Sequence, residues 1–106
     1  MNTHVFDALA DSTRRDLLIN LAKNSPKTAT QLATEYPITR QGLLKHLHVL
    51  EQAGLVAIQQ RGREKRYTLN PEPLSDINEW INQISTQWDQ RLSRLKTLLE
   101  SEPTGE

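Results

Sequence analysis

At Gly54 the apolar pattern of the chain changes period, and few folds of this length accommodate such a change. Ahead of it, "ITRQGLLKHLHVLEQAGLV" puts Leu43, Leu47 and Leu50 on one helical face with Ala53 beside them. Gln41, Lys45, His48 and Gln52 point the other way. Thr39 offers a capping hydroxyl at the front, and Gly54 can take the left-handed conformation that closes the back. Beyond Gly54, "LVAIQQ" alternates through Val56 and Ile58, and "KRYTLN" through Tyr67 and Leu69. Between them lies "RGRE", with Gly62 free to adopt positive φ. The stretch predicts a helix leading directly into a two-stranded hairpin with a basic tip.

The flanking segments read as helices. "HVFDALA" is a short apolar helix carrying Val5, Phe6 and Leu9. Asp11 or Ser12 can cap a second, "TRRDLLINLAKN", with Leu17, Leu18, Leu21 and Ala22 at helical spacing, and "SPK" breaks it. "TATQLATEY" opens on Thr28 with Gln31 three residues later, a capping box, and "YPI" ends it because the residue before Pro37 is pushed out of helical geometry. From Pro73 to about Glu100 a helix on the order of 40 Å long follows, at 1.5 Å per residue. Its apolar stripe runs through Leu74, Ile77, Ile81, Ile84, Trp88, Leu92, Leu95 and Leu99 at near-heptad spacing. "SEPTGE" reads as a frayed tail. The expected fold is mainly α with a small β-hairpin: one domain over residues 1–101, helices available for pairing at both ends, and a flexible tail over 102–106.

Two short helices joined by a tight turn, the second with a polar outer face, followed at once by a basic hairpin, form a winged helix-turn-helix pattern. A B-DNA major groove admits one helix, and the hairpin can reach sideways to the backbone. The formal charge of zero conceals a segregation that suits this reading. Residues 1–38 are neutral. Residues 39–67 carry Arg40, Lys45, Arg61, Arg63, Lys65 and Arg66 against Glu51 and Glu64, a balance of plus four, and residues 68–106 stand at minus four. Cations on both the groove-facing helix and the wing point to double-stranded DNA as partner.

Several alternatives are limited by composition. The chain has 106 residues and no cysteine, so disulfides, thiolate metal sites and cysteine nucleophiles are excluded. The absence of a long apolar run near the start leads to the expectation of a cytoplasmic protein with no membrane partner. No phosphate-binding glycine loop, nucleophile with an evident base or zinc-helix motif supports an enzyme. A different class stays open: a winged-helix module whose long amphipathic helix binds a heterologous protein.

At "FDALADSTRRDLL", "TATQLA", "ITRQGLLKHLHVLEQAGLV", "GREKRYTLNPEPL" and "WDQRLSRL", spaced as they are, the chain resembles the ArsR/SmtB bacterial repressors over nearly its whole length. It is most similar to the branch without metal sites, whose members often repress their own operons. The resemblance implies a homodimeric repressor joined through the first and last helices, here Val5, Phe6 and Leu9 with Ile77, Ile81, Ile84, Trp88, Leu92 and Leu95. It also implies DNA reading by Thr39, Arg40, Gln41, Leu44 and Lys45, to which the outward face adds His48 and the hairpin adds Arg61, Arg63 and Lys65. A palindromic operator follows from the two-fold dimer. Gly42 and Leu44 depart from the residues common in relatives, Ala or Pro at the first and a small hydroxyl at the second.

Some residues admit two readings. Leu44 either packs against the third helix or meets a thymine methyl. Arg14 and Arg15 either grip phosphate or bridge Asp11 or Asp7. Trp80 and Trp88 line an effector pocket or form interface core. Tyr67 reads as wing packing, and His4 as part of a mobile N-terminus. No metal or cofactor is expected: His46 and His48 are two apart on one helix and do not face each other, and the acids of the long helix, Asp76, Glu79 and Asp89, have no histidine among them. The sequence names no effector.

Overall fold

A computed structural model of the protein describes residues 3–101, with backbone alone at Thr3 and Ser101. In chain order the elements are α1 (Thr3–Leu9), α2 (Ser12–Asn24), β1 (Lys27–Thr28), α3 (Ala29–Ala33), α4 (Arg40–Gln52), β2 (Val56–Arg61), β3 (Glu64–Leu69) and α5 (Glu72–Ser101). Contacts divide the chain into two compact units, residues 1–74 and residues 75–106. The expected tail over 102–106 lies outside the described residues.

The starts of α2, α3 and α4 are each fixed by a side chain that satisfies backbone donors otherwise left over. Asp11 caps α2 by accepting from the Arg14 N–H, so of the two candidate caps it is Asp11 that serves. At α3 both halves of the capping box are present: Gln31 N–H donates to Thr28 Oγ1 at 3.1 Å and Thr28 N–H to Gln31 Oε1 at 2.9 Å. Thr39 caps α4, accepting from the Gly42 N–H at 3.0 Å. At the other end of α4, Gly54 has φ +76, and the Gly54 N–H bonds back to Glu51. α3 stops at Ala33, earlier than the expected "TATQLATEY", because a Glu35 N–H to Leu32 carbonyl bond tightens the chain into the turn ahead of Pro37.

Three antiparallel strands form the sheet, in the order β1-β3-β2, where the sequence predicts two. β2 and β3 are the expected hairpin, closing on Arg61 opposite Glu64 around Gly62 and Arg63. Gly62 has φ +61 and Arg63 does not have positive φ, the sign pattern of a II′ turn, whose twist suits a hairpin. The additional strand, Lys27–Thr28, pairs with Tyr67 and Arg66. It ties the start of α3 to the wing.

The core of the first unit is made where the helical faces meet the sheet. Leu17 and Leu21 of α2, Leu32 of α3, Leu43, Leu47 and Leu50 of α4 and Leu55 are almost wholly buried, with Tyr67 from β3. Burying a leucine is worth about 1.5–3 kcal/mol relative to exposure, so this cluster dominates the unit's stability. Val5 is only 4% exposed and belongs to this core. Phe6, by contrast, is exposed at 40%.

Arg14 and Arg15 take a course that neither sequence reading contains. Arg14 Nε donates to the Ala8 carbonyl at 2.8 Å and Nη2 to the Asp7 carbonyl at 3.0 Å, while Arg15 Nη1 donates to the Leu9 carbonyl at 2.7 Å. These are the C-terminal carbonyls that α1 leaves without helical partners. The two arginines close the corner between α1 and α2 through backbone oxygens instead of carboxylates.

α5, taken by itself, is an amphipathic helix of 30 residues, about 45 Å long at 1.5 Å per residue. Ile81, Ile84, Trp88, Leu92, Leu95 and Leu99 stand exposed along it, whereas Ile77 is buried. The stripe repeats every eleven residues, pairing Ile77 with Trp88 and Leu99, Ile81 with Leu92, and Ile84 with Leu95. Eleven residues in three turns, about 3.67 per turn, track a straight α-helix more closely than a heptad does. His4 lies in α1.

Candidate nucleic-acid interface

The buried leucines of α4 decide what the helix shows outside. With Leu43, Leu47 and Leu50 turned inward, Thr39, Arg40, Gln41, Lys45 and His48 are exposed on the opposite side, as the period predicts. Leu44 is half-buried at the margin between the faces.

Beside this edge lies a cleft of about 990 Å³. One wall is the start of α3, with Thr28, Ala29, Thr30 and Gln31. A second is Arg40 and Leu44 of α4, and the third is the wing from Arg63 to Tyr67. Four cations, Arg40, Arg63, Lys65 and Arg66, face it against one acid, Glu64. Such a surface attracts and holds phosphate oxygens, since cation density in a concave site concentrates the field. Leu44 forms part of the wall, so some of its surface is open to whatever enters. Arg61 is exposed on β2 outside the cleft lining, and Gln41, Lys45 and His48 extend the exposed edge beyond it.

Sequence reasoning put Arg40, Leu44, Arg63 and Lys65 at one site, and the structure brings them together. It missed Arg66, Thr30 and Gln31 as members. The link is β1, whose pairing sets Thr28 opposite Arg66 and brings the start of α3 against the wing. Tyr67 also reaches the cleft while its ring stays buried. Burial raises its hydroxyl pKa, helped by the Glu51 charge and opposed by Arg40.

The turn that positions α4 is held by a polar clasp. Glu35 accepts from Lys27 Nζ at 2.7 Å and from Asn20 Nδ2 at 2.6 Å, so one carboxylate ties α2, β1 and the turn together. These two hydrogen bonds, Lys27 first, hold the Glu35 carboxyl below its ordinary pKa. Asn20 Nδ2 also reaches the Tyr36 hydroxyl at 3.3 Å. On α4 itself, His46 Nδ1 lies 3.4 Å from Arg14 Nη1 and 3.9 Å from Asp11 Oδ2. Asp11 is likewise lowered, principally by the Arg14 backbone N–H. His46 and His48 therefore do not converge. Among the described residues no group of three or more His, Asp or Glu could hold a metal ion, and no helix is long and apolar enough to cross a membrane.

Comparison with known proteins agrees with this geometry. The profile of a helix-turn-helix domain family matches residues 9–59. The uncharacterized HTH-type transcriptional regulator YuzN of Bacillus subtilis is 42% identical over 73% of this chain and 91% of its own length. The transcriptional repressor SdpR of the same organism is 32% identical over 84% of this chain and 98% of its own. Among solved structures, an ArsR-like transcriptional regulator from Rhodococcus sp. RHA1 superposes with TM-score 0.81 and 37% identity, covering 95% of this chain and 92% of that one. The chain belongs to the ArsR family of transcriptional regulators. In this ArsR-family protein the helix-turn-helix is α3 and α4, and the wing is β2 and β3. The profile match ends inside β2, so it spans the reading helix but stops short of the basic tip at Gly62 and Arg63.

Proposed function

We propose that this ArsR-family regulator is a homodimeric repressor that acts in the cytoplasm by occupying a palindromic operator. α4 enters the major groove with Thr39, Arg40, Gln41, Leu44, Lys45 and His48, and the wing lays Arg61, Arg63 and Lys65 on the flanking backbone. The cleft carries this reading: four cations against one acid, opening between an exposed helix edge and a hairpin. Phosphate contacts set position, and Gln41 and Lys45, exposed on the helix edge beside the cleft, supply base contacts.

Two copies join through Phe6 and Leu9 of α1 and through Ile77, Ile81, Ile84, Trp88, Leu92 and Leu95 of α5. The exposed α5 stripe supports this, because so much contiguous apolar surface on a small soluble protein marks an interaction surface. Two-fold pairing sets the reading helices about 34–36 Å apart, one turn of DNA. A heterologous occupant of the stripe is the rival, and it would not require the basic cleft. Metal plays no part in release, since soft and borderline ions need convergent imidazole or thiolate ligands.

The test divides labour between helix and wing. On an operator obtained by selection from random DNA, Gln41→Ala should relax base preference at one position per half-site by about 1–3 kcal/mol. Arg63→Ala should weaken cognate and random duplexes alike. Equal losses on both DNAs for both variants would contradict the assignment.

A further inference from the structure

We propose that Glu64 is an internal counter-ion that competes with DNA phosphate for Arg66, holding down the sequence-independent part of binding. The inference rests on the DNA-binding reading and deepens it, by separating the cations of the cleft into those available to phosphate and one already engaged.

Glu64 is the single acid among the residues that line the cleft. It stands two residues from Arg66 on β3, a spacing that puts both side chains on the same face of the strand. Glu64 Oε2 lies 3.5 Å from Arg66 Nη2. Among the described residues Arg40, Arg61, Arg63 and Lys65 make no ion pair, so the wing's one acid is directed at one particular cation.

Arg66 is also the cation best placed by the fold. Its strand is the middle one, with Thr28 of β1 on one side and Gln59 of β2 on the other. Its side chain is 37% exposed against 59% for Glu64. Arg63, by contrast, is at the hairpin tip. A guanidinium presents its donors in a planar fork that carboxylate and phosphate fill in the same way, so the two are direct competitors.

The pair is not there for the fold, because solvent-exposed ion pairs contribute little to stability. Its consequence is felt when phosphate arrives. The incoming oxygen must displace Glu64 or leave Arg66 unused, and in either case it meets the carboxylate's repulsion. Each phosphate contact adds about 0.9 to the slope of log K against log salt, which near physiological salt corresponds to roughly fivefold in affinity. Glu64 therefore lowers affinity for every sequence by about one contact per protomer, which keeps the complex within reach of dissociation.

The experiment titrates the full chain and its E64Q, R66Q, E64Q/R66Q and R63Q variants into a fluorescent random-sequence duplex over a series of potassium chloride concentrations. All the exchanged side chains are outside the core, and thermal melts establish that each variant is folded. For each engaged protomer E64Q should bind about fivefold tighter near physiological salt, with a slope steeper by about 0.9. R66Q alone should weaken binding less than Arg63→Gln does, since Glu64 already competes for Arg66, and on the R66Q background most of the E64Q gain should vanish. An unchanged slope in E64Q overturns the proposal. So does an equal gain on the R66Q background, which would mean general repulsion and not competition for Arg66. Wild-type protein with no salt-dependent binding to any duplex would instead remove the DNA-binding reading on which the proposal rests.

Discussion

Gly42 is the third residue of α4, and its N–H is held by the Thr39 hydroxyl at 3.0 Å. A Cβ built there meets the same oxygen at 3.2 Å, so an added methyl must push the cap aside by a few tenths of an ångström. Against that stands the helix propensity of alanine over glycine, at most about 1 kcal/mol. Gly42→Ala should therefore stabilise the protein by about 0.5 kcal/mol in urea unfolding, whereas Thr39→Ala, which removes the cap, should cost about 1 kcal/mol. A destabilised Gly42→Ala variant would mean that the Thr39 rotamer cannot yield. Acid tests the clasp. Glu35 and Asp11 both titrate below their ordinary values of 4.5 and 3.8 in the folded protein. Their contribution is present above those unfolded values and is lost as pH falls through the lowered folded ones. Urea midpoints should accordingly fall as pH drops below about 4.5, and Glu35→Gln should flatten that fall. A Glu35→Gln variant with the same acid profile as wild type would place the loss elsewhere. Single residues were legible where one helix turn contained both partners, as with the Thr28 and Gln31 box. Arg14 and Arg15 were not, because their acceptors are carbonyls that become available only once α1 ends and the chain turns.

Among the elements, α2, α4 and the hairpin could be read because each carries its own period and its own stop signals. Leu43, Leu47 and Leu50 are buried, and Gln41, Lys45 and His48 exposed, as the 3.6 period requires. β1 could not be read. Two residues hold no period, and Lys27 and Thr28 become a strand only because Tyr67 and Arg66 are presented to them. That unreadable strand brings Arg66 and Thr30 into the cleft, so the part of the site built from long-range pairing stayed hidden while the helix edge did not. α5 was legible as a helix, but its spacing is an eleven-residue repeat and not a heptad. The stripe at Trp88, Leu92 and Leu95 is more than half exposed, at 55%, 58% and 53%. Replacing Trp88 and Leu95 together with glutamate should yield monomers by sedimentation, with poor affinity for DNA. An unaltered dimer would move the interface off this stripe.

At the scale of the whole molecule, the proposed repressor requires two separate surfaces, the basic cleft for DNA and the apolar stripe of α5 for pairing. The proposed repressor would work without metal: among the described residues no three His, Asp or Glu converge to hold an ion, and His46 lies against Arg14. Zinc, cobalt and nickel titrated into the protein–operator complex should leave it intact at stoichiometric metal. Release abolished by replacing the histidines would show a site formed across two copies. In the proposed complex the positive cleft holds phosphates of duplex DNA in both protomers. Its most direct test is the salt dependence of affinity for the selected operator, measured by fluorescence anisotropy. With Arg40, Arg61, Arg63 and Lys65 of two protomers each engaging a phosphate, log K should fall linearly with log salt at a slope of about −7. A slope near zero, with affinity governed instead by the α5 stripe, would show that the cleft does not hold phosphate.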